Sequence, residues 1–240
     1  CRPAAVLGRP ARDDTRAEMR RRLGWQDDFV LLNVGAMTPN KGIDLLLAGF
    51  AALLQSRPDA RLVLKGVDAL FRSRDMVRGL LNDLPASLRQ NVAARVTYYG
   101  NSLPVADMVR LFQSADAYVS PYRAEGFNLP VLEAAACGLP VVCTAGGATD
   151  DFTAPEFALR IDAALDRQAR VLAPSLDHLI VQLRRCAEDA DWRGAAKAAG
   201  PAFVAHGHTW KHAAAGLLRA VGLGSGAASG TKEKENVRSG

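Results

Sequence analysis

The chain has 240 residues and 49% hydrophobic content, enough for one large core or two small ones. Seven Arg against three acids in residues 1–22, and three bases against two acids in 222–240, account for the whole +5 net charge. The body between is neutral, which excludes a nucleic-acid binder, whose basic groups must crowd onto the folded surface.

No apolar run approaches the ~18–20 residues of a membrane helix, so no transmembrane segment is expected, and the Arg-rich start does not resemble a signal peptide. Cys1, Cys137, Cys143 and Cys186 form no C-x-x-C pair, and Cys137 and Cys143 sit among apolar residues. That usage is expected of a disulfide-free cytoplasmic protein, peripheral to a membrane in its full form or not.

Residues 1–22 read as a basic lead-in or linker, partly helical over 14–22. Phe29–Val34 is a continuous apolar run ending at Gly35, which predicts a buried strand. Ile43–Leu54 repeats at helical spacing and stops at Arg57-Pro58. Further strands are predicted at 61–64, 95–99, Ala117–Ser120 and 140–143, with a weaker sixth at 170–172. Between them lie an amphipathic stretch at 74–88 that breaks near Pro85, and helices at Val105–Ser114 and Leu129–Ala136. Helices at Leu176–Glu188, 192–204 and 210–221 follow. Residues 222–240 are Gly, Ser and charge, which predicts a disordered tail. The folded domain is therefore expected over 23–221.

Short apolar strands alternating with helices predict an α/β fold with a doubly wound parallel sheet, Rossmann-like in architecture. In such sheets ligands bind beyond the carboxyl ends of the strands. The loops of interest are thus 35–42, 65–70, 100–103, 121–129 and 144–149.

The most informative is Glu125-Gly-Phe-Asn-Leu-Pro-Val-Leu-Glu133-Ala-Ala-Ala-Cys-Gly-Leu-Pro140. Glu125 and Gly126 fall in the loop after the fourth strand, and a helix starts near Asn128 or Leu129. The unpaired N–H groups and positive dipole end of a helix start suit a phosphate or a developing anion. Glu133 lies one turn further in, at the helix edge. Carboxylates accept well from hydroxyl pairs, so the two can hold a sugar and a ribose either side of a diphosphate. Two isolated glutamates would ordinarily be solvated surface groups; their surroundings carry the assignment.

This stretch resembles the E-x7-E signature of retaining GT-B glycosyltransferases of family GT4, the group 1 glycosyl transferases. The resemblance implies that Glu125 and the amides of Phe127, Asn128 and Leu129 contact the donor sugar, and that Glu133 holds the ribose. Residues 33–44 resemble the family's first strand, loop and helix, in which a glycine turn (Gly35) precedes an Arg and then a Lys-Gly pair that grip the diphosphate. Lys41 matches the lysine, while the Arg position is Ala36. Lys65, at the end of the second strand, is placed by topology as a substitute. Residues 96–107 resemble the strand and loop beside the nucleotide base, with Tyr98 and Tyr99 expected to pack and not to stack on a base. The Gly146-Gly147 loop is expected to supply shape.

The resemblance further implies the C-terminal half of a GT-B fold. Its donor substrate would be a nucleotide-diphosphate sugar of hexose type, transferred with retained configuration and without metal or other cofactor. The acceptor site would belong to an N-terminal domain, in cis or in trans, without which no turnover is expected. Catalytic weight falls on Glu125 and Lys41. Alternatives are a non-catalytic nucleotide-sugar-binding module or truncated paralogue, and an epimerase on the same fold. A glycosidase is a weaker one, since its carboxylates must face each other across ~5–9.5 Å. Asp189-Ala-Asp191 reads as a surface pair, not a metal motif, Gly222-x-Gly224 precedes no helix, and His178, His206, His208 and His212 lack the partners of a zinc set.

Overall fold

The computed structural model describes residues 13–222. The expectations for residues 1–12 and 223–240 lie outside them.

Six short strands, β1 (Phe29–Val34), β2 (Ala60–Lys65), β3 (Val96–Tyr99), β4 (Ala117–Ser120), β5 (Val141–Thr144) and β6 (Ala158–Ile161), form one sheet. Its order is β3-β2-β1-β4-β5-β6, with every neighbouring pair parallel. A parallel sheet is covered on both faces, which is why its central strands are apolar at nearly every position.

Strand alternation sorts those residues between two cores. Val30, Leu32, Val63, Tyr118, Val141 and Cys143 face one side. That side is covered by α5 (Val105–Ser114), α6 (Leu129–Ala136) and α8 (Ala190–Gly207). Leu31, Leu62, Leu64, Val119, Val142 and Ile161 face the other. Helices α2 (Ile43–Leu54), α3 (Ser73–Asp83), α4 (Ala86–Arg95) and α7 (Leu176–Glu188) cover it.

The long amphipathic stretch divides into α3 and α4 at Leu84, which is extended (φ −63°, ψ 147°), as a residue before proline tends to be. The sixth strand of the sheet is not at 170–172. That segment falls in β8 (Val171–Pro174), which pairs antiparallel with β7 (Ala163–Asp166) in a separate hairpin. The sheet's edge is β6, whose Ala-Leu-Arg-Ile pattern carries Arg160 on a half-exposed position.

The Arg-rich start forms α1 (Asp13–Leu23). It is docked against the end of α5: Arg16 and Arg20 both reach Asp116, at 2.6 and 3.0 Å. The last helix, α9 (Trp210–Ala220), is capped by Thr209 and His212 and buries none of its residues. Among the described residues no helix is long and apolar enough to cross a membrane.

Strand order reverses between β1 and β4. In a doubly wound sheet that reversal opens a crevice at the carboxyl ends of the strands, because the two following loops run to opposite faces.

Candidate functional site

The loops after β1 and β4 meet at that crevice. The β1 loop turns at Gly35, makes a 3-10 turn at Pro39–Lys41, and enters α2 through Gly42. Gly42 is left-handed (φ 65°), and a side chain there would lie 2.0 Å from the Pro121 carbonyl oxygen. Only glycine permits that approach. The β4 loop is then stitched to the turn: the Arg123 N–H donates to Asn40 O at 2.7 Å. The Arg123 guanidinium spans both oxygens of Asp44 (2.8 and 2.6 Å) and reaches Pro39 O at 3.0 Å.

This stitching brings Lys41 and Glu125 together as a direct ion pair, both side chains largely buried. Lys41 lies along Gly35, where a side chain would come within 3.3 Å of its Cε. No sequence spacing announces the pair, since its members are 84 residues apart.

Glu125 leads into the start of α6. Asn128 caps the helix in the left-handed region (φ 67°, ψ 55°), which asparagine tolerates better than most residues. Its Nδ2 donates to Ser120 Oγ at 3.0 Å, which locks the turn. Among the described residues the N–H groups of Gly126, Phe127, Asn128 and Leu129 find no acceptor. A short row of unpaired amides at a positive dipole end is thus open beside Lys41. Phe127 stacks on buried Phe152 at 4.7 Å yet stays 47% exposed, and Leu129 is 48% exposed, so this edge faces outward.

Glu133 sits one turn into α6, half-buried, and no cation pairs with it among the described residues; burial pushes its carboxyl above the usual range. The buried Tyr118 hydroxyl donates to Val34 O at 3.1 Å and accepts from Val34 N at 3.3 Å. Its pKa is raised by burial and also by the charges of both Glu125 and Glu133. Both carboxylates thus act electrostatically on one buried hydroxyl at the β1/β4 end of the sheet.

Lys65 is not brought to the Lys41–Glu125 pair. It is buried, and its ammonium donates to the carbonyl of the next residue, Gly66, at 2.5 Å. Burial pushes its pKa down. Its backbone does serve the site: Lys65 O accepts from Gly35 N at 3.0 Å. Position 36 is Ala, so the β1 loop brings one lysine and no arginine to the cleft.

Tyr98 packs, as expected. Its hydroxyl is held by Asp68 and its ring lies under Arg74 at 4.8 Å, and burial followed by the Asp68 charge lifts its pKa to about 12. Asp68 fits because residue 100 is glycine, where a side chain would lie 1.7 Å from its carboxylate. The glycine loop is shaped by Tyr122, whose hydroxyl meets Thr149 Oγ1 at 2.9 Å and leaves no room for a side chain at Gly147. The dismissed motifs have local roles: Asp189 caps α8 by accepting from Trp192 N at 2.8 Å, and His208 stacks on Phe203 at 4.7 Å. Cys137, Cys143 and Cys186 are buried, and none of the three is in a disulfide among the described residues. Sequence reasoning missed Arg123 and Asp44, which hold the lysine loop in place; a bidentate clamp between distant loops leaves no local signal.

The crevice therefore combines an ammonium, unpaired amides and the Glu125 carboxylate, with Glu133 one turn into the same helix, a set of chemistry suited to a diphosphate and neighbouring hydroxyls.

Comparison with known proteins shows the family. A family model described as "Glycosyl transferases group 1" matches residues 28–173. A GDP-mannose-dependent monoacylated alpha-(1-6)-phosphatidylinositol monomannoside mannosyltransferase of Corynebacterium glutamicum is 29% identical over 84% of this chain and 49% of its own length. A D-inositol 3-phosphate glycosyltransferase of Frankia alni is 34% identical over 85% of this chain and 47% of its own. The solved structure of Anabaena HepE in complex with UDP and glucose superposes with a TM-score of 0.65 at 20% identity, covering 85% of this chain and 50% of that one, a likeness of fold. The chain spans about half the length of the curated relatives it matches. With the Rossmann-like sheet and the cleft at its switch point, these matches place the chain in the group 1 glycosyltransferases, as one α/β half of the GT-B architecture.

Proposed function

We propose that this chain binds a nucleotide-diphosphate sugar at the β1/β4 crevice and is the donor half of a retaining glycosyltransferase of the GT4 type. The sugar, of hexose type, passes to an acceptor held by a second domain in cis or in trans. The observation that carries this reading is the meeting of Lys41, Glu125 and the unpaired amides of 126–129 in one cleft.

The chemical task is to stabilise charge gathering on the departing diphosphate. Fixed donors aimed at that charge act without reorganising, and removing one costs ~3 kcal/mol or more of barrier, about a hundredfold in rate. Lys41 and the α6 amides are those donors. Glu125 accepts from sugar hydroxyls and Glu133 from the ribose. No metal or other cofactor has a part in this scheme, because the ammonium and the helix start supply the positive charge. The relative named for GDP-mannose and the structural neighbour holding UDP and glucose support the ligand class, with the base left to experiment.

A thermal-shift panel of UDP, GDP, UDP-glucose and GDP-mannose tests the reading. A ligand at a hundredfold its Kd adds ~2.7 kcal/mol of stability, which for a domain of this size raises Tm by about 5–10 °C. One base should give such a shift and the other much less. No shift with any of the four would remove the donor site.

One observation favours a second reading, a non-catalytic nucleotide-sugar-binding module. Ala36 stands where the family resemblance expects an arginine, and Lys65 is turned onto a backbone carbonyl instead of the cleft.

A further inference from the structure

Lys41 and Glu125 are paired with each other. Their side chains are only 20% and 12% exposed, so the contact is partly desolvated and stronger than a solvated surface pair. The lysine stem is guided along Gly35, and its loop is braced by Arg123 and Asp44. In the donor-site reading above, on which this inference rests, the same ammonium must grip the diphosphate. Glu125 therefore competes with the diphosphate for that ammonium.

A bare nucleoside diphosphate has to displace that carboxylate and then sit beside it unpaired, two like charges at close range. An intact nucleotide sugar meets a different site. Its hydroxyls donate to Glu125 as its diphosphate takes Lys41, so both halves of the broken pair regain partners. We infer that Lys41 and Glu125 form an exchange pair that makes the cleft prefer the intact donor over the spent nucleoside diphosphate. Once the sugar leaves, Glu125 loses its hydroxyl partners and reclaims Lys41, which drives product out. Glu125 then acts as a specificity-determining residue as well as a sugar contact.

The test is isothermal titration calorimetry on the whole 240-residue chain, wild type and Glu125→Gln, with UDP, GDP, UDP-glucose and GDP-mannose. Glutamine keeps the size and removes the charge. Glu125→Gln should bind the spent diphosphate of the preferred base about tenfold more tightly, the scale of one close charge pair, while the intact sugar gains nothing. Lys41→Gln should weaken both. Unchanged or weaker diphosphate binding by Glu125→Gln, or equal tightening of diphosphate and sugar, overturns the exchange while leaving the donor site standing. Absence of binding to all four nucleotides by both proteins, with folded spectra, overturns the donor site and the exchange together. If Glu125→Gln does not fold, Glu125→Ala removes the same charge and should likewise tighten binding of the spent diphosphate without tightening the intact sugar.

Discussion

Glu133 carries its charge where water reaches it poorly and where no cation pairs with it among the described residues. Burial lifts its folded-state pKa above that of the unfolded chain, so the folded protein favours the proton. Stability from that proton is fully present below the unfolded value near 4.5 and is lost as pH rises through the folded value. At neutral pH the ionised carboxylate thus works against folding. Glu133→Gln should raise Tm at pH 7, and the gain should shrink to nothing as pH falls to about 4. Superimposable melting curves at both pH values would show that the site hydrates the charge well. A residue kept at a cost to stability is what a binding role predicts, since ribose hydroxyls would supply the missing donors. The same substitution should therefore weaken nucleotide binding while strengthening the fold.

At the scale of elements, α1 illustrates what sequence pattern misses. The Arg-rich start reads as a linker because its apolar residues are few. In the fold, Arg16 and Arg20 converge on Asp116, about a hundred residues away, and Asp116 also accepts from Val30 N at 2.8 Å. Arg20 is nearly buried and also donates to Ser114 O at 2.9 Å. One carboxylate thus joins α1, the end of α5 and the start of β1. Asp116→Ala leaves a buried guanidinium uncompensated and should cost about 3 kcal/mol, at the low end for such a loss because Asp116 keeps some solvent contact. Urea denaturation measures the cost, and hydrogen exchange should show α1 losing protection first. A shift below ~0.5 kcal/mol would mean the pairs are merely surface contacts. The apolar strands were legible because burial on both faces writes itself as unbroken hydrophobic runs, as in Phe29–Val34. Edge strand β6 was not, because Arg160 interrupts its four residues, whereas Val171-Leu172 looked like a sheet strand and belongs to the hairpin. The start of α6 was legible to within a residue, near Asn128 or Leu129, since asparagine favours a cap and Pro130 a first turn. What Lys41 and Glu125 do to one another was not, because pairing across the β1 and β4 loops depends on sheet order and not on neighbours in the chain.

For the whole molecule, the decisive feature is the open side of the cleft. Phe127 and Leu129 are about half exposed, and nothing lies within 4 Å of where a side chain at Gly126 would begin. A donor bound here would have its diphosphate against protein and its sugar towards solvent. Charge stabilisation at a leaving group weakens when water reaches it, because the effective dielectric rises and fixed dipoles lose their advantage. Transfer also needs an acceptor hydroxyl held in line with the reacting carbon, an orientation worth ~7 kcal/mol or more. Among the described residues no wall faces this edge to supply either. The isolated chain should therefore bind donor and release it unchanged. With radiolabelled donor, label transferred to any acceptor or to water should stay at the level of a Lys41→Gln control. Adding a separately expressed acceptor-type α/β domain that closes over the cleft should raise it. Sustained transfer by the chain alone, abolished in Lys41→Gln, would show that one α/β half is sufficient and that the exposed edge of α6 is already a complete active site.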